Sequence, residues 1–208
     1  MTASSPSSRH PIVLSLWAAL VVITGLGLSH PAWFVLVFLV SPIVAIGTFS
    51  VVYARTDVEV LRPGWSLAYR AATALLALAA VTGVISTAGR LAGADAPWFE
   101  NAPLALLFLL AFLAAWPTVA RPSPRRAAIP AMVVHITWPP LMIANAVLEH
   151  RQYHAATPGI SSDWGWSHVV SGVSLVSILA LSALVAVLSV VGFSGEPRIA
   201  SARATARM

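Results

Sequence analysis

A histidine in the fifth apolar stretch and a glutamate just after it are the residues best suited to acid–base catalysis. His135 lies inside the stretch at about 129–148, and Glu149 follows its end. These side chains are common general acids and bases. An ionisable side chain inside a membrane-spanning segment is by default a functional candidate. We therefore predict His135 and Glu149 as catalytic residues, with His135 about 10 Å from the cytoplasmic end of its helix.

A double proline lies close to His135 in the same stretch. Pro139 and Pro140 lack backbone N–H groups, so the carbonyls of His135 and Ile136 lose their helical donors. Lipid cannot replace those donors, so the stretch should be interrupted here and face other helices or a wet cavity.

Helical phase, if it continues past the prolines, places several polar and aromatic residues on one face. That face carries His135, Trp138, Met142, Asn145 and Glu149. We predict that Trp138 and Asn145 line a substrate pocket. The alternative is that His135 only hydrogen-bonds a neighbouring helix and that Asn145 only packs.

The sixth apolar stretch carries a second polar stripe. His168, Ser171, Ser174, Ser182 and Ser189 fall on one side of a helical wheel. We predict Ser171 and Ser174 as substrate-binding residues. Close helix packing uses the same small hydroxyl residues and is the alternative interpretation.

Polar residues also gather where the second, fifth and sixth stretches meet the predicted outer side. They are His30, Glu149, His150, His154, Asp163 and His168. Histidines with carboxylates can bind zinc, copper or iron, but this spacing matches no specific motif. We predict no metal and no cofactor, and whether the group binds metal or haem stays open.

Acidic residues lie next to aromatic residues in two predicted outer loops. The first loop carries Trp98, Phe99 and Glu100, and the second carries Asp163, Trp164 and Trp166. An acid beside aromatic faces could protonate an apolar substrate and stabilise a carbocation, as isoprenoid cyclisation requires. An aromatic belt at the membrane interface explains the same residues without chemistry.

Composition identifies the elements that must position these residues. Of 208 residues, 58% are hydrophobic and 9% are charged, with mean hydropathy +0.84. Soluble domains carry about 25% charged residues, so a multi-pass membrane protein is predicted. All twelve basic residues are arginine and cysteine is absent. These absences exclude lysine Schiff bases, thiol nucleophiles and iron–sulfur ligation by cysteine.

Six apolar stretches are long enough to be spanning helices. They lie at about 11–28, 32–53, 65–88, 103–119, 129–148 and 168–193, between an N-terminal segment 1–10 and a basic tail 194–208. We predict an all-α bundle of six transmembrane helices. With both termini cytoplasmic, ten of the twelve arginines lie inside, as the positive-inside rule requires. The predicted location is a cell membrane of the bacterial inner-membrane type.

A short stretch resembles the androgen-induced family of membrane lipid hydrolases. The resemblance rests on His135, Thr137 and Pro140, followed by His150, Gln152 and Tyr153. It implies six spans and a site built from a threonine and a histidine, with His135 as the histidine. The chain differs in carrying this histidine in its fifth span and offers only Ser41 and Thr48 in place of the threonine, so we do not assign it to the family.

Two functional hypotheses follow from these patterns. The first is a membrane-embedded enzyme that carries out acid–base chemistry on a lipid or isoprenoid substrate. The second is a non-enzymatic small permease or an accessory subunit of a larger membrane complex. The expected partners are the lipid bilayer, a hydrophobic small molecule and another membrane protein. Nucleic acid is not expected, because topology alone accounts for the net charge of +5.

Overall fold

The computed structural model describes residues 10–27, 31–54, 60–91, 102–155 and 166–194. Within these ranges the chain forms six helices and one two-residue strand pair. The helices are α1 (His10–Gly27), α2 (Pro31–Tyr53), α3 (Pro63–Leu91), α4 (Ala102–Ala120), α5 (Pro124–Ala155) and α6 (Trp166–Val191); the strands are β1 (Val60–Leu61) and β2 (Phe193–Ser194). The predicted all-α, six-helix bundle is confirmed. The cytoplasmic placement of the termini stays a prediction.

Five of the helices are long and apolar enough to cross a membrane. The apolar segments are Val35–Tyr53, Pro63–Ala88, Ala102–Ala120, Pro124–Leu148 and Val170–Val191, and α1 contributes a shorter one, Pro11–Ile23. Large apolar side chains cover the outside of the bundle; Leu67 is 80% exposed and Ile43 is 69% exposed. Soluble proteins rarely expose apolar surface so extensively. Lipid is the environment that fits this surface.

Helices α5 and α6 form the centre of the bundle. They pack on each other, and both also contact the two flanking hairpins. The first hairpin is α1 with α2, and the second is α3 with α4. Helix α5 contacts α2 and α4, whereas α6 packs extensively on α3 and only slightly on α1 and α2.

Helix α5 continues through its internal prolines. Pro130, Pro139 and Pro140 all lie within one helix of 32 residues, so the interruption expected at the double proline is not observed. The helix runs without a break from Pro124 to Ala155. Because α5 begins at Pro124, His135 lies eleven residues inside it, about 16 Å along the axis rather than about 10 Å.

One end of the bundle is closed by contacts between distant parts of the chain. Strand β1 pairs antiparallel with β2, and the Arg62 N–H donates to the Gly192 carbonyl at 2.9 Å. Nearby, the Arg125 Nε–H donates to the Tyr53 carbonyl at 3.2 Å, and its guanidinium lies 4.9 Å from the Tyr53 ring centroid. These contacts join the connection between α2 and α3 to the end of α6, and the start of α5 to the end of α2.

Candidate functional site

The imidazole of His135 joins three helices. Its Nδ1 lies 2.7 Å from Oγ of Ser41 on α2, and its Nε2 lies 3.2 Å from Oγ of Ser182 on α6. His135 is 4% exposed, and both serines are 0% exposed. All three residues lie near the middle of their apolar segments. The candidate site is therefore buried near the middle of three helices that are apolar enough to cross a membrane.

Trp138 completes this group, which we call the histidine cluster: Ser41, His135, Trp138 and Ser182. Trp138 follows His135 by three residues, so both side chains leave α5 on the same face. Its indole Nε1–H donates to Ser41 Oγ at 3.0 Å, and its ring packs against Phe38 with centroids 4.4 Å apart. The helical-face pattern thus brings Trp138 to the imidazole, where it contacts a hydroxyl of α2.

The donors and acceptors of the cluster favour one tautomer of His135. An indole nitrogen can only donate, so Ser41 Oγ accepts from Trp138, and its own proton can go to His135 Nδ1 or to the His135 carbonyl oxygen. The tautomer with its proton on Nε2 can donate to Ser182 Oγ at 3.2 Å. The Ser182 hydroxyl in turn donates to the Leu179 carbonyl at 3.1 Å. The opposite tautomer would direct the Ser182 proton to Nε2 and break that last bond.

Ser41 also lies near the backbone carbonyl that loses its helical donor at the double proline. Pro139 removes the N–H that would serve the carbonyl of His135. The Ser41 hydroxyl lies 3.5 Å from that carbonyl oxygen. The same side chain therefore approaches both the imidazole and the backbone acceptor that the proline leaves without a helical donor.

Trp17 of α1 covers the imidazole from a fourth helix. The two rings meet edge to face, with centroids 5.1 Å apart and an interplanar angle of 70°. The Trp17 Nε1–H donates to Thr48 Oγ1 at 2.9 Å, and Thr48 donates to the Val44 carbonyl at 2.8 Å. Sequence reasoning missed Trp17. Its signal was a tryptophan well inside an apolar stretch, away from the interfacial belt where tryptophan is enriched.

Asn145 and Glu149 lie further along α5. Asn145 is buried at 5% exposure, ten residues or about 15 Å beyond His135. Glu149 belongs to α5, but its side chain lies outside the described residues. Fourteen helical residues separate it from His135, about 21 Å. One reacting atom cannot touch both, so a role for Glu149 would be exercised at the far end of the helix. Both assignments stay predictions.

Ser171 and Ser174 form a separate layer between α3 and α6. Ser171 Oγ lies 2.9 Å from Ser86 Oγ, and Ser174 Oγ lies 3.2 Å from Thr82 Oγ1. Both α6 serines are buried. Paired hydroxyls of this kind are typical of close helix packing in membranes. The arrangement fits the packing alternative, and a role in substrate binding stays a prediction.

The outer histidine group falls largely outside the described residues. His30 and Asp163 lie there entirely, as do the loop residues Trp98, Phe99, Glu100 and Trp164. Of His150, His154, His168 and Trp166 only the helical backbone is described. In the parts of the chain with described side chains, no group of three or more histidine, aspartate or glutamate residues could hold a metal ion. The open question of metal or haem binding therefore stays open.

The histidine cluster holds a serine hydroxyl 2.7 Å from one nitrogen of a buried imidazole. A hydroxyl hydrogen-bonded to a base, whose second nitrogen is held by another group, is the arrangement by which nucleophilic serines are recognised. No family model matches the chain, and neither a curated protein nor a solved structure matches it. The chain is thus a multi-pass helical protein of membrane type, with a buried serine–histidine pair as its most distinctive feature.

Proposed function

We propose that the protein is a membrane-embedded enzyme that transfers or hydrolyses the acyl group of a lipid ester. In this proposal the Ser41 hydroxyl is the nucleophile and His135 is its general base. The observation that carries the proposal is the 2.7 Å hydrogen bond between Ser41 Oγ and His135 Nδ1. An intramembrane imidazole is a functional candidate by default, and a hydroxyl within hydrogen-bond reach gives it a proton to accept.

The proposed reaction proceeds in two halves. Ser41 Oγ attacks the ester carbonyl carbon while its proton passes to His135 Nδ1. The imidazolium then returns that proton to the departing alkoxide oxygen, leaving the acyl group on Ser41. Water or a second alcohol releases the acyl group by the reverse sequence. Ser182 positions the ring, because its Oγ accepts the Nε2–H in both charge states.

A lipid substrate is proposed because of where the pair lies. The cluster is buried at the middle of helices whose outer surfaces are apolar. A molecule that already resides in the bilayer reaches this depth without leaving an apolar environment. An isoprenoid ester belongs to the same class, since only its ester carbonyl must meet Ser41. The arginine bias makes the bacterial-type cell membrane the proposed location.

Covalent labelling tests this proposal. The purified protein in lipid vesicles is treated with a long-chain alkyl fluorophosphonate, which reacts with activated serines, and the modified residue is located by mass spectrometry. We expect label on Ser41 and loss of that label in His135→Gln. Thr73→Ala is the matched control, because Thr73 is buried but bonds only within its own helix; its labelling should equal that of wild type. An unlabelled Ser41 in a folded wild-type protein would contradict the proposal.

A second candidate is a non-enzymatic permease or accessory subunit. It is favoured by the burial of the cluster, because Ser41 and Ser182 are 0% exposed and their hydroxyl groups have hydrogen-bond partners. In that case the cluster holds α2, α5 and α6 together. Ser174→Leu in the α3–α6 interface should then impair assembly or transport more than His135→Gln does. The enzyme proposal expects the reverse order, measured as turnover of a lipid ester.

A further inference from the structure

The helices that surround the histidine cluster are packed into the bundle to different extents. The two nitrogen edges of the imidazole face Ser41 on α2 and Ser182 on α6. The Trp17 ring from α1 covers it at a centroid distance of 5.1 Å. The cluster therefore lies where α1, α2 and α6 meet, and α1 is the helix whose displacement would uncover it.

Helix α1 lies at the periphery of the bundle. Its buried residues form a narrow stripe, Val13, Trp17 and Leu20, whereas Ile12 and Val21 are more than 60% exposed. It packs mainly on α2 and makes only a small contact with α6. The boundary between α1 and α6 is thus the weakly packed seam beside the cluster. Few buried contacts mean a low local cost of opening.

Trp17 is the side chain of α1 that covers the imidazole beside this seam. Trp17 is 2% exposed, and its hydrogen bond runs to Thr48 on α2 rather than to α6. The bond therefore ties α1 to its own hairpin partner, α2, while the ring itself packs on His135 of α5. A rotation of the indole away from His135 would uncover the side of the imidazole that Trp17 now contacts.

We propose that the seam between α1 and α6 is a lateral entrance through which an apolar chain passes from the bilayer to the histidine cluster. In this proposal the Trp17 side chain keeps the entrance closed. The entrance admits molecules dissolved in the membrane and not those dissolved in water. It supplies the route that the proposed enzyme needs. Its test, however, measures access alone, so the two proposals can fail separately.

Photolabelling from the bilayer tests the entrance. The protein is reconstituted in vesicles containing a fatty acid with a diazirine near the end of its chain, irradiated, and analysed by mass spectrometry. The carbene reacts with whatever it touches, so no activated group is needed. Thr48→Val removes the anchor of Trp17 and keeps the indole. We expect Thr48→Val to raise labelling at Ser41, His135 and Ser182 several-fold above wild type, and Trp17→Ala to raise it further.

Trp116→Ala is the matched control, because Trp116 is a lipid-facing tryptophan of α4 at 61% exposure. It should leave labelling of the cluster at the wild-type level. Equal labelling in wild type and Thr48→Val would overturn the entrance, as would an equal rise in Trp116→Ala. If Trp17→Ala fails to fold, Thr48→Val decides the outcome. Increased photolabelling without fluorophosphonate labelling of Ser41 would support the entrance and contradict the enzyme.

Discussion

At the scale of single residues, Ser41 links the two α5 side chains of the cluster, His135 and Trp138, to α2. Its oxygen accepts from the Trp138 indole and lies 2.7 Å from His135 Nδ1 and 3.5 Å from the His135 carbonyl oxygen. The sequence placed His135 and Trp138 on one helical face, but it did not identify their partner. Ser41 is 94 residues from His135 in the chain, and no local period encodes a contact set by the packing of α2 against α5.

Removal of the Ser41 hydroxyl should therefore destabilise the protein. Ser41→Ala leaves the Trp138 Nε1–H and His135 Nδ1 buried without that partner. An unsatisfied buried polar group costs about 1–3 kcal/mol, so we expect a loss of that size in the free energy of unfolding, measured by reversible unfolding in mixed micelles. Ser50→Ala is the control. Ser50 is exposed and bonds only to the Ile46 carbonyl of its own helix, so its change should stay within about 0.5 kcal/mol. Equal losses of unfolding free energy in Ser41→Ala and Ser50→Ala would contradict the role of Ser41 as a buried hydrogen-bond partner of Trp138 and His135.

At the scale of helices, close approach explains a glycine that the sequence left unremarked. A Cβ added to Gly83 of α3 would lie 2.4 Å from Phe108 Cδ1 of α4, and Phe108 is 0% exposed. The apolar stretches themselves could be predicted, because spanning lipid demands about 20 apolar residues. The interhelical distance could not, since it depends on which residue of α4 meets α3.

Two glycine substitutions test this contact. Gly83→Ala forces the buried Phe108 ring to move, and overpacking of this kind typically costs about 1–3 kcal/mol of unfolding free energy. Gly47→Ala on α2 meets nothing within 4 Å. Alanine favours helix over glycine by about 1 kcal/mol, so Gly47→Ala should be neutral or stabilising. Thermal unfolding of both variants decides; a Gly83→Ala protein as stable as Gly47→Ala would show that α3 and α4 are further apart than described.

The hydroxyl pairs between α3 and α6 give a second prediction about the stability of helix packing. Ser171→Ala removes one partner of the bond to Ser86. Hydrogen bonds between membrane helices average about 0.6 kcal/mol, so the expected loss of stability is small. The same measurement on Ser174→Leu should give a larger loss, because a leucine replaces a buried serine that faces Thr82. A loss in Ser171→Ala as large as that in Ser174→Leu would contradict this expectation.

At the scale of the whole molecule, the distribution of side chains is that of a membrane protein. Apolar residues cover the outside, whereas Thr118, His135 and Ser189 are among the polar residues buried inside. Composition alone predicted this class, since 9% charged residues cannot cover a soluble surface. The number of crossings depends on α1, whose described apolar segment is shorter than the other five.

Cysteine labelling tests the crossing of α1 and the orientation together. The chain contains no cysteine, so Ser8→Cys and Ser201→Cys each introduce a single thiol, before α1 and after α6. In intact cells both should be protected from a membrane-impermeant maleimide and become reactive after lysis, because the arginine bias places both termini inside. Labelling of Ser8→Cys alone would mean that α1 does not cross; labelling of both would invert the orientation.

The protonation of the imidazole is the most direct measure of whether His135 can act as a base toward Ser41. Solid-state ¹⁵N NMR of histidine-labelled protein in lipid, with His135→Gln to assign the signal, distinguishes the two ring nitrogens. We predict a neutral ring with the proton on Nε2 and a bare Nδ1 that accepts the Ser41 proton. A proton on Nδ1 would contradict the central claim, because that nitrogen could then take no proton from the serine.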